Sequence, residues 1–196
     1  MENFIFPVRL EKKLKEFIDF PEDMPNILCF YGAPANGKTS FAKYMANKLA
    51  NNFYYLESQD VPYLKDFIES VVMRSICIDE PKEFINCFII DEFHNFNYEQ
   101  QNKFNILFDY INDEHRVRDR RDMIILCINT TDKKPVEKTL SEAMSSRCDL
   151  VRFDILMSEK NYIIEKTIEK FPELDPAIIK RSFPDWRVLN RALKMK

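Results

Sequence analysis

The sequence predicts an α/β fold in which a parallel β-sheet is wrapped by helices and followed by a small helical unit. Three observations carry this expectation. Short apolar runs alternate with amphipathic stretches as far as Phe153, the pattern of strands joined by helical crossovers. Beyond Phe153 the strand signal stops and stretches with helical spacing take over. The 196 residues also hold only two glycines, Gly32 and Gly37, both in the run Gly32-Ala33-Pro34-Ala35-Asn36-Gly37-Lys38-Thr39 that joins the first apolar run to the first amphipathic stretch.

In chain order, the expected strands are Ile27 to Tyr31, Phe53 to Leu56, Ile85 to Ile90, Met123 to Ile128 and Leu150 to Phe153. The expected helices between them are Lys38 to Leu49, Val61 to Ile76 with Pro62 in its first turn, Tyr98 to Ile111 and Val136 to Met144. Three short helices should follow, over Ser158 to Lys170, Asp175 to Ser182 and Pro184 to Lys194. Ser158 and Asp175 are placed to cap the first two, and Pro176 fits a first helical position. The expected division is an α/β body over residues 1–153 and a helical lid over 154–196, without internal repeats or a long linker.

A formal net charge of −3 and a sequence pI near 5.6 exclude a protein that coats nucleic acid by bulk charge. Any such contact should be local. The run His115-Arg116-Val117-Arg118-Asp119-Arg120-Arg121-Asp122 is the basic candidate, although its interspersed acids read first as a solvated connector. There is no apolar run long enough for a membrane span and no signal-peptide pattern at the start, so the expectation is a soluble intracellular protein without a membrane partner. The five cysteines lack a C-x-x-C pair and sit mostly in apolar runs, as buried free thiols do. His94 and His115 lack metal-ligand spacing, which leaves local hydrogen bonding or exposure.

Average usage puts glycine near ~7% of residues, so a chain with two has kept them where the backbone cannot carry a Cβ. Gly32 and Gly37 occupy both glycine positions of G-x-x-x-x-G-K-[ST], with Gly32 ending a strand and Gly37 opening a helix. In that context the backbone N–H groups of the segment Gly32 to Ser40, Pro34 excepted, wrap nucleotide phosphates. Lys38 reaches the β- and γ-phosphates and the Thr39 hydroxyl ligates Mg²⁺. The third strand ends in Asp91-Glu92, at the sheet edge that faces the ligand crevice of an open α/β sheet. Asp91 suits the Mg²⁺ shell, and Glu92 suits polarisation of a water for in-line attack. Asn129, at the end of the fourth strand, either orients that water or senses the γ-phosphate, or else forms a turn. Arg147 is either a surface arginine or a group that stabilises charge on a phosphate held by a neighbouring subunit.

Met24-Pro25-Asn26-Ile27-Leu28 ahead of the phosphate loop, Asp91-Glu92, Asn129, Ser146-Arg147-Cys148 and Asp185-Trp186-Arg187-Val188-Leu189-Asn190 together resemble an AAA+ ATPase. The similarity is greatest to the ATPase subunits of replication-factor-type sliding-clamp loaders, and it spans Pro25 to Asn190. It implies a three-layer P-loop body with a five-stranded parallel sheet, a helical lid, and ATP and Mg²⁺ as cofactors. It also implies that Asn129 is sensor 1, that Arg147 is a finger acting in trans on the adjacent subunit's ATP, and that Arg187 is the lid's sensor 2. The implied partners are neighbouring AAA+ subunits, identical or not, together with DNA and a replication protein such as a sliding clamp. Clamp-loader-like loading is thus the expected task. A helicase loader or nucleic-acid translocase is the alternative, and an ATP-binding scaffold subunit with little turnover is the alternative of another class.

Three departures from the clamp-loader pattern accompany the resemblance. Ala33, Ala35 and Asn36 stand where clamp loaders usually show a proline, a glycine and a small residue, and Phe93-His94 replaces the common alanine-aspartate. The sequence ends at Lys196, soon after sensor 2, so the collar domain is expected to be absent. Trp186 is expected to pack the lid onto the body.

Overall fold

The computed structural model describes residues 4–57, 63, 66–67, 70–71, 82–112, 121–130 and 135–194. Its centre is a sheet of β1 (Ile27–Gly32), β2 (Ala50–Leu56), β3 (Phe84–Ile90), β4 (Arg121–Asn129) and β5 (Asp149–Arg152) in the order β2-β3-β4-β1-β5. Every pairing is parallel. Around it lie α1 (Val8–Asp19), α2 (Lys38–Leu49), α3 (Tyr98–Lys103), α4 (Asn105–Asn112) and the one-turn α5 (Glu142–Ser145). The chain then continues into α6 (Lys160–Lys170), α7 (Pro176–Ser182) and α8 (Trp186–Lys194).

The central strands β1, β3 and β4 are buried along most of their length and mainly apolar because helices cover both faces. Alternate residues of one strand enter different cores, as a period of two requires. Leu28 and Phe30 of β1 join Ile89, Ile125, Phe41 of α2 and Leu14 and Phe17 of α1 on one face. Ile27 and Cys29 join Ile90, Leu126, Phe104 and Phe108 on the other. Helix α1 is an addition to the sequence expectation, although Leu10, Leu14 and Phe17 carry the spacing of a buried helical stripe.

Most expected elements are present, with shifted ends. Strand β2 starts at Ala50, directly after α2, and β5 ends at Arg152, with the Phe153 N–H still bonded to the Tyr31 carbonyl at 2.8 Å. The helix expected over Val61 to Ile76 lies largely outside the described residues, as do Cys77 and His115; residues 66–67 and 70–71 are helical. The single helix expected over Tyr98 to Ile111 is two, α3 and α4, parted at Phe104. Asn97 caps α3 in a reciprocal capping box with Gln100. The helix expected over Val136 to Met144 is a 3₁₀ turn, Val136–Lys138, followed by α5. Buried Gln101 enforces that break: its Nε2 donates to the Thr139 carbonyl at 2.8 Å, and its Oε1 accepts the Ser141 N–H at 2.9 Å.

Asp175 caps α7 as expected, accepting the Ala177 N–H at 2.8 Å, and Pro176 opens the helix. Ser158 is not a cap. It lies inside a 3₁₀ turn, Met157–Glu159, where the Glu159 carboxylate accepts the Leu156 N–H at 2.8 Å. The last three helices enclose their own small core of Ile164, Leu174, Ile179 and Leu189, and Trp186 packs on it inside the helical unit rather than at the junction with the body.

Arg121 and Asp122, the end of the basic run, are structural residues at the start of β4. The Arg121 guanidinium meets Glu83 at 3.0 Å and Asn26 Oδ1 at 2.7 Å, and Asp122 Oδ1 accepts the Asn86 N–H at 2.9 Å. Cys29, Cys87 and Cys127 are buried free thiols and Cys148 is half-buried. Burial pushes the Cys148 thiol up to about 12. No described helix is long and apolar enough to cross a membrane.

Leu14 is fully buried under α1. Leu14→Ala is expected to lower the unfolding free energy by ~2–5 kcal/mol, read from urea denaturation; an unchanged midpoint would show that α1 is not part of the core.

Candidate nucleotide-binding site

Strand β1 delivers the chain into the loop at Gly32, where φ is +146°. A Cβ there would stand 2.8 Å from Asp154 Oδ1 and 3.0 Å from the Asp154 nitrogen. Gly37 is required for a different reason. Its φ is +83°, while a Cβ would meet only Phe6 Cε1 at 3.9 Å, so conformation rather than space selects glycine. Ala35 is also left-handed, at φ +65°. The loop therefore follows a glycine-like path at the position where clamp loaders usually carry glycine, at a cost of ~1 kcal/mol. At Ala33, the usual proline would lack the N–H that Asp154 Oδ1 accepts at 2.6 Å.

Lys38, Thr39 and Ser40 form the first turn of α2, whose N–H groups have no partner within the helix and, with the helix dipole, favour an anion. The Lys38 ammonium is buried, donating to the carbonyls of Gly32 at 3.0 Å and Ala33 at 2.8 Å. That burial lowers its pKa. Thr39 Oγ1 donates to the Asp91 carboxylate, 3.1 Å from Oδ1 and 3.0 Å from Oδ2. A hydroxyl and a carboxylate are the hard oxygen donors that Mg²⁺ takes, usually beside several waters, so this pair fits the ion.

Asp91 has two further donors. The Glu92 N–H reaches Oδ1 at 2.9 Å, and the Tyr55 hydroxyl reaches Oδ2 at 2.6 Å. Burial, then the bond to Asp91, raises the Tyr55 phenol pKa, and the Lys43 ammonium lies 4.6 Å from the ring centroid. Tyr55 carried no sequence signal as a site residue.

Glu92 is left-handed at φ +51°. Its carboxylate meets Asn129 Nδ2 at 3.2 and 3.0 Å and His94 Nε2 at 3.1 Å. The Asn129 N–H in turn approaches His94 Nδ1 at 3.3 Å. Asn129 thus directs its amide to a carboxylate across the sheet edge instead of closing a turn, and His94 is a site neighbour that spacing alone left among local hydrogen-bonding groups.

The profile of the ATPase family associated with various cellular activities (AAA) matches residues 28–154. The chain belongs to the AAA family of ATPases. Its fold is similar to that of AMPPCP-bound DnaA from Aquifex aeolicus, with a TM-score of 0.65 and 18% identity over 99% of this chain and 62% of that one. It is also similar to RuvB from Thermotoga maritima, with a TM-score of 0.57 and 19% identity over 91% of this chain and 56% of that one. The AAA domain of FIGL-1 in complex with ADP gives a TM-score of 0.58 and 15% identity over 90% of this chain and 63% of that one. The chain spans less than two thirds of each of these structures, and at such identities the likeness is one of fold. No curated protein matches the sequence.

Within this AAA fold, Lys38, Thr39, Asp91, Glu92 and Asn129 converge where β1, β3 and β4 end. Arg147 makes other contacts: it donates to the Ala143 carbonyl at 3.0 Å and lies 3.9 Å from Asp109. Arg187 is exposed in the first turn of α8, where Asp185 Oδ1 accepts its backbone N–H at 2.8 Å. A cleft of about 920 Å³ runs from Pro34 and Asn36 of the loop to Lys160 and Pro184 of the helical unit. Arg9 of α1 pins the joint beneath it, donating to the carbonyls of Arg152 and Asp154 and pairing with Glu159 at 2.9 Å.

The two left-handed positions predict opposite responses. Ala35→Gly should raise the unfolding free energy by up to ~1 kcal/mol, whereas Gly37→Ala should lower it by ~1 kcal/mol or more. Equal destabilisation by both substitutions in thermal and urea melts would contradict the loop conformation. Gly37→Ala, like Gly32→Ala, should also abolish binding of a fluorescent ATP analogue.

Proposed function

We propose that this AAA chain binds and hydrolyses Mg-ATP and uses the cycle to load or remodel a DNA-replication partner, in a clamp-loader-like role. The observation that carries the reading is the juxtaposition of Thr39 with Asp91 and of Glu92 with Asn129 along one sheet edge beside the start of α2. Lys38 and the first N–H groups of α2 hold the phosphates. Thr39 and Asp91 would hold Mg²⁺, which would supply neutralisation of phosphate charge. Glu92 polarises the attacking water, and Asn129 orients Glu92 and that water.

In the assembled protein, Arg147 of one subunit acts on the nucleotide of its neighbour, and Arg187 closes the lid on the γ-phosphate. The exposed position of Arg147, whose guanidinium meets Ala143 and Asp109, supports a role in trans. Neighbouring subunits, identical or not, complete the site, and DNA and a sliding clamp are the proposed macromolecular partners. The likeness to DnaA covers the helical unit as well as the body, and this favours a second reading as a replication-initiator-type helicase loader. One such DnaA structure is bound to AMPPCP and single-stranded DNA. An ATP-binding scaffold is disfavoured by the coordinated carboxylates at the phosphate edge.

Glu92→Gln should keep nucleotide affinity and lower turnover by ~10²-fold or more; turnover at the parental rate would contradict the general-base assignment. With a non-hydrolysable ATP analogue, native mass measurement should give an oligomer whose ATPase is lost in Arg147→Ala, whereas a monomer under every condition would refute the trans finger for the isolated chain. Stimulation by primer-template DNA with a sliding clamp separates loading from a translocase, which would give directional strand displacement.

A further inference from the structure

We propose that His94 is a positioning residue that ties the Glu92 carboxylate to the end of β4. This rests on the reading of Glu92 as the base. The imidazole stands between two groups that fix its tautomer. Nδ1 faces the Asn129 N–H at 3.3 Å, so it is the acceptor nitrogen, and the proton resides on Nε2, which faces Glu92 Oε2 at 3.1 Å. Asn129 therefore holds Glu92 twice, directly through Nδ2 and indirectly through its backbone and His94.

The turn that carries the ring is itself anchored. Phe93 is fully buried, with its ring centroid 5.2 Å from that of Phe96 and 5.4 Å from that of Phe104. The Asn95 N–H bonds to the Glu92 carbonyl at 2.9 Å. Glu92, by contrast, has a strained backbone and a half-exposed side chain. Without a restraint its carboxylate samples several rotamers, and only some of them face the phosphate edge. A carboxylate has about four lone-pair directions, so the bonds from Asn129 and His94 hold it while leaving capacity for a water. His94 also makes the position of Glu92 depend on where β4 ends, so that a shift of the Asn129 backbone moves the base.

The experiment combines one readout of the contact with one of the role. The chain has two histidines, so ¹⁵N–¹H correlation of the imidazoles resolves His94 once His94→Gln assigns it. The expected species at neutral pH is the Nε2-protonated tautomer, with an Nε2 shift that moves in Glu92→Gln; an Nδ1-protonated ring, or one indifferent to Glu92→Gln, would overturn the contact. For the role, His94→Phe keeps a ring and removes both bonds, whereas His94→Gln keeps an amide donor.

The expected result is a kcat reduced on the order of ten- to a hundredfold in His94→Phe and partly restored in His94→Gln. The KM for ATP and the affinity for its analogue should stay at parental values in both, which also reports an intact fold. Parental kcat in His94→Phe, with Glu92→Gln inactive, would overturn the positioning role alone. Turnover in Glu92→Gln, or none in the parental protein, would remove the base assignment and the role together, while the imidazole spectrum would still decide the contact.

Discussion

The parallel pairing of β1 with β4, which sets Gly32 level with Asn129, is the constraint on which the site depends. Because β4 also pairs with β3, and Ile90 aligns with Leu126, the chain leaves all three strands at one edge of the sheet. The phosphate loop, the Asp91-Glu92 pair and the Asn129 amide thus meet without long or flexible supports. The two apolar cores hold this register, since a slip of one residue would exchange the side chains of each strand between faces. Packing far from the edge therefore sets distances at it.

The loop stores conformational cost at that edge. Gly32, Ala35, Gly37 and Glu92 all have positive φ, and two of them carry side chains. Such positions persist where surrounding contacts over-determine them. Here those contacts are the Lys38 bonds to two loop carbonyls, the Asp154 bond to Ala33, and the grip of Asn129 and His94 on Glu92. Asp154 belongs to the connection into the helical unit, and Arg9 clasps the same connection to Glu159. The phosphate loop and the start of the helical unit are thereby mechanically joined.

How much was legible in the sequence follows from how local each signal is. The loop, the α/β order and the Asp91-Glu92 pair are written in adjacent residues, and each appears where the pattern places it. The capped start of α7 is equally local. Helix α1 was also legible, from Leu10, Leu14 and Phe17, but no motif drew attention to it. The loss of the Val136–Met144 helix was not legible, because Gln101 bonds to residues 38 and 40 positions away. Tyr55, His94 and Asp154 were hidden for the same reason, with partners 36, 35 and 121 positions distant. Such residues acquire meaning only when the sheet brings strand ends together. The family resemblance implies roles for Arg147 and Arg187, but both residues are exposed, and the contacts of Arg147 to Ala143 and Asp109 lie within its own chain.

The most direct measurement is a crystal structure of the protein grown with Mg²⁺ and a non-hydrolysable ATP analogue. The triphosphate should lie over the first turn of α2, with Lys38 turned from the loop carbonyls to the phosphates and one ion on Thr39 within the shell of Asp91. A nucleotide bound elsewhere, or a triphosphate at the loop with its ion held by neither Thr39 nor Asp91, would contradict this arrangement.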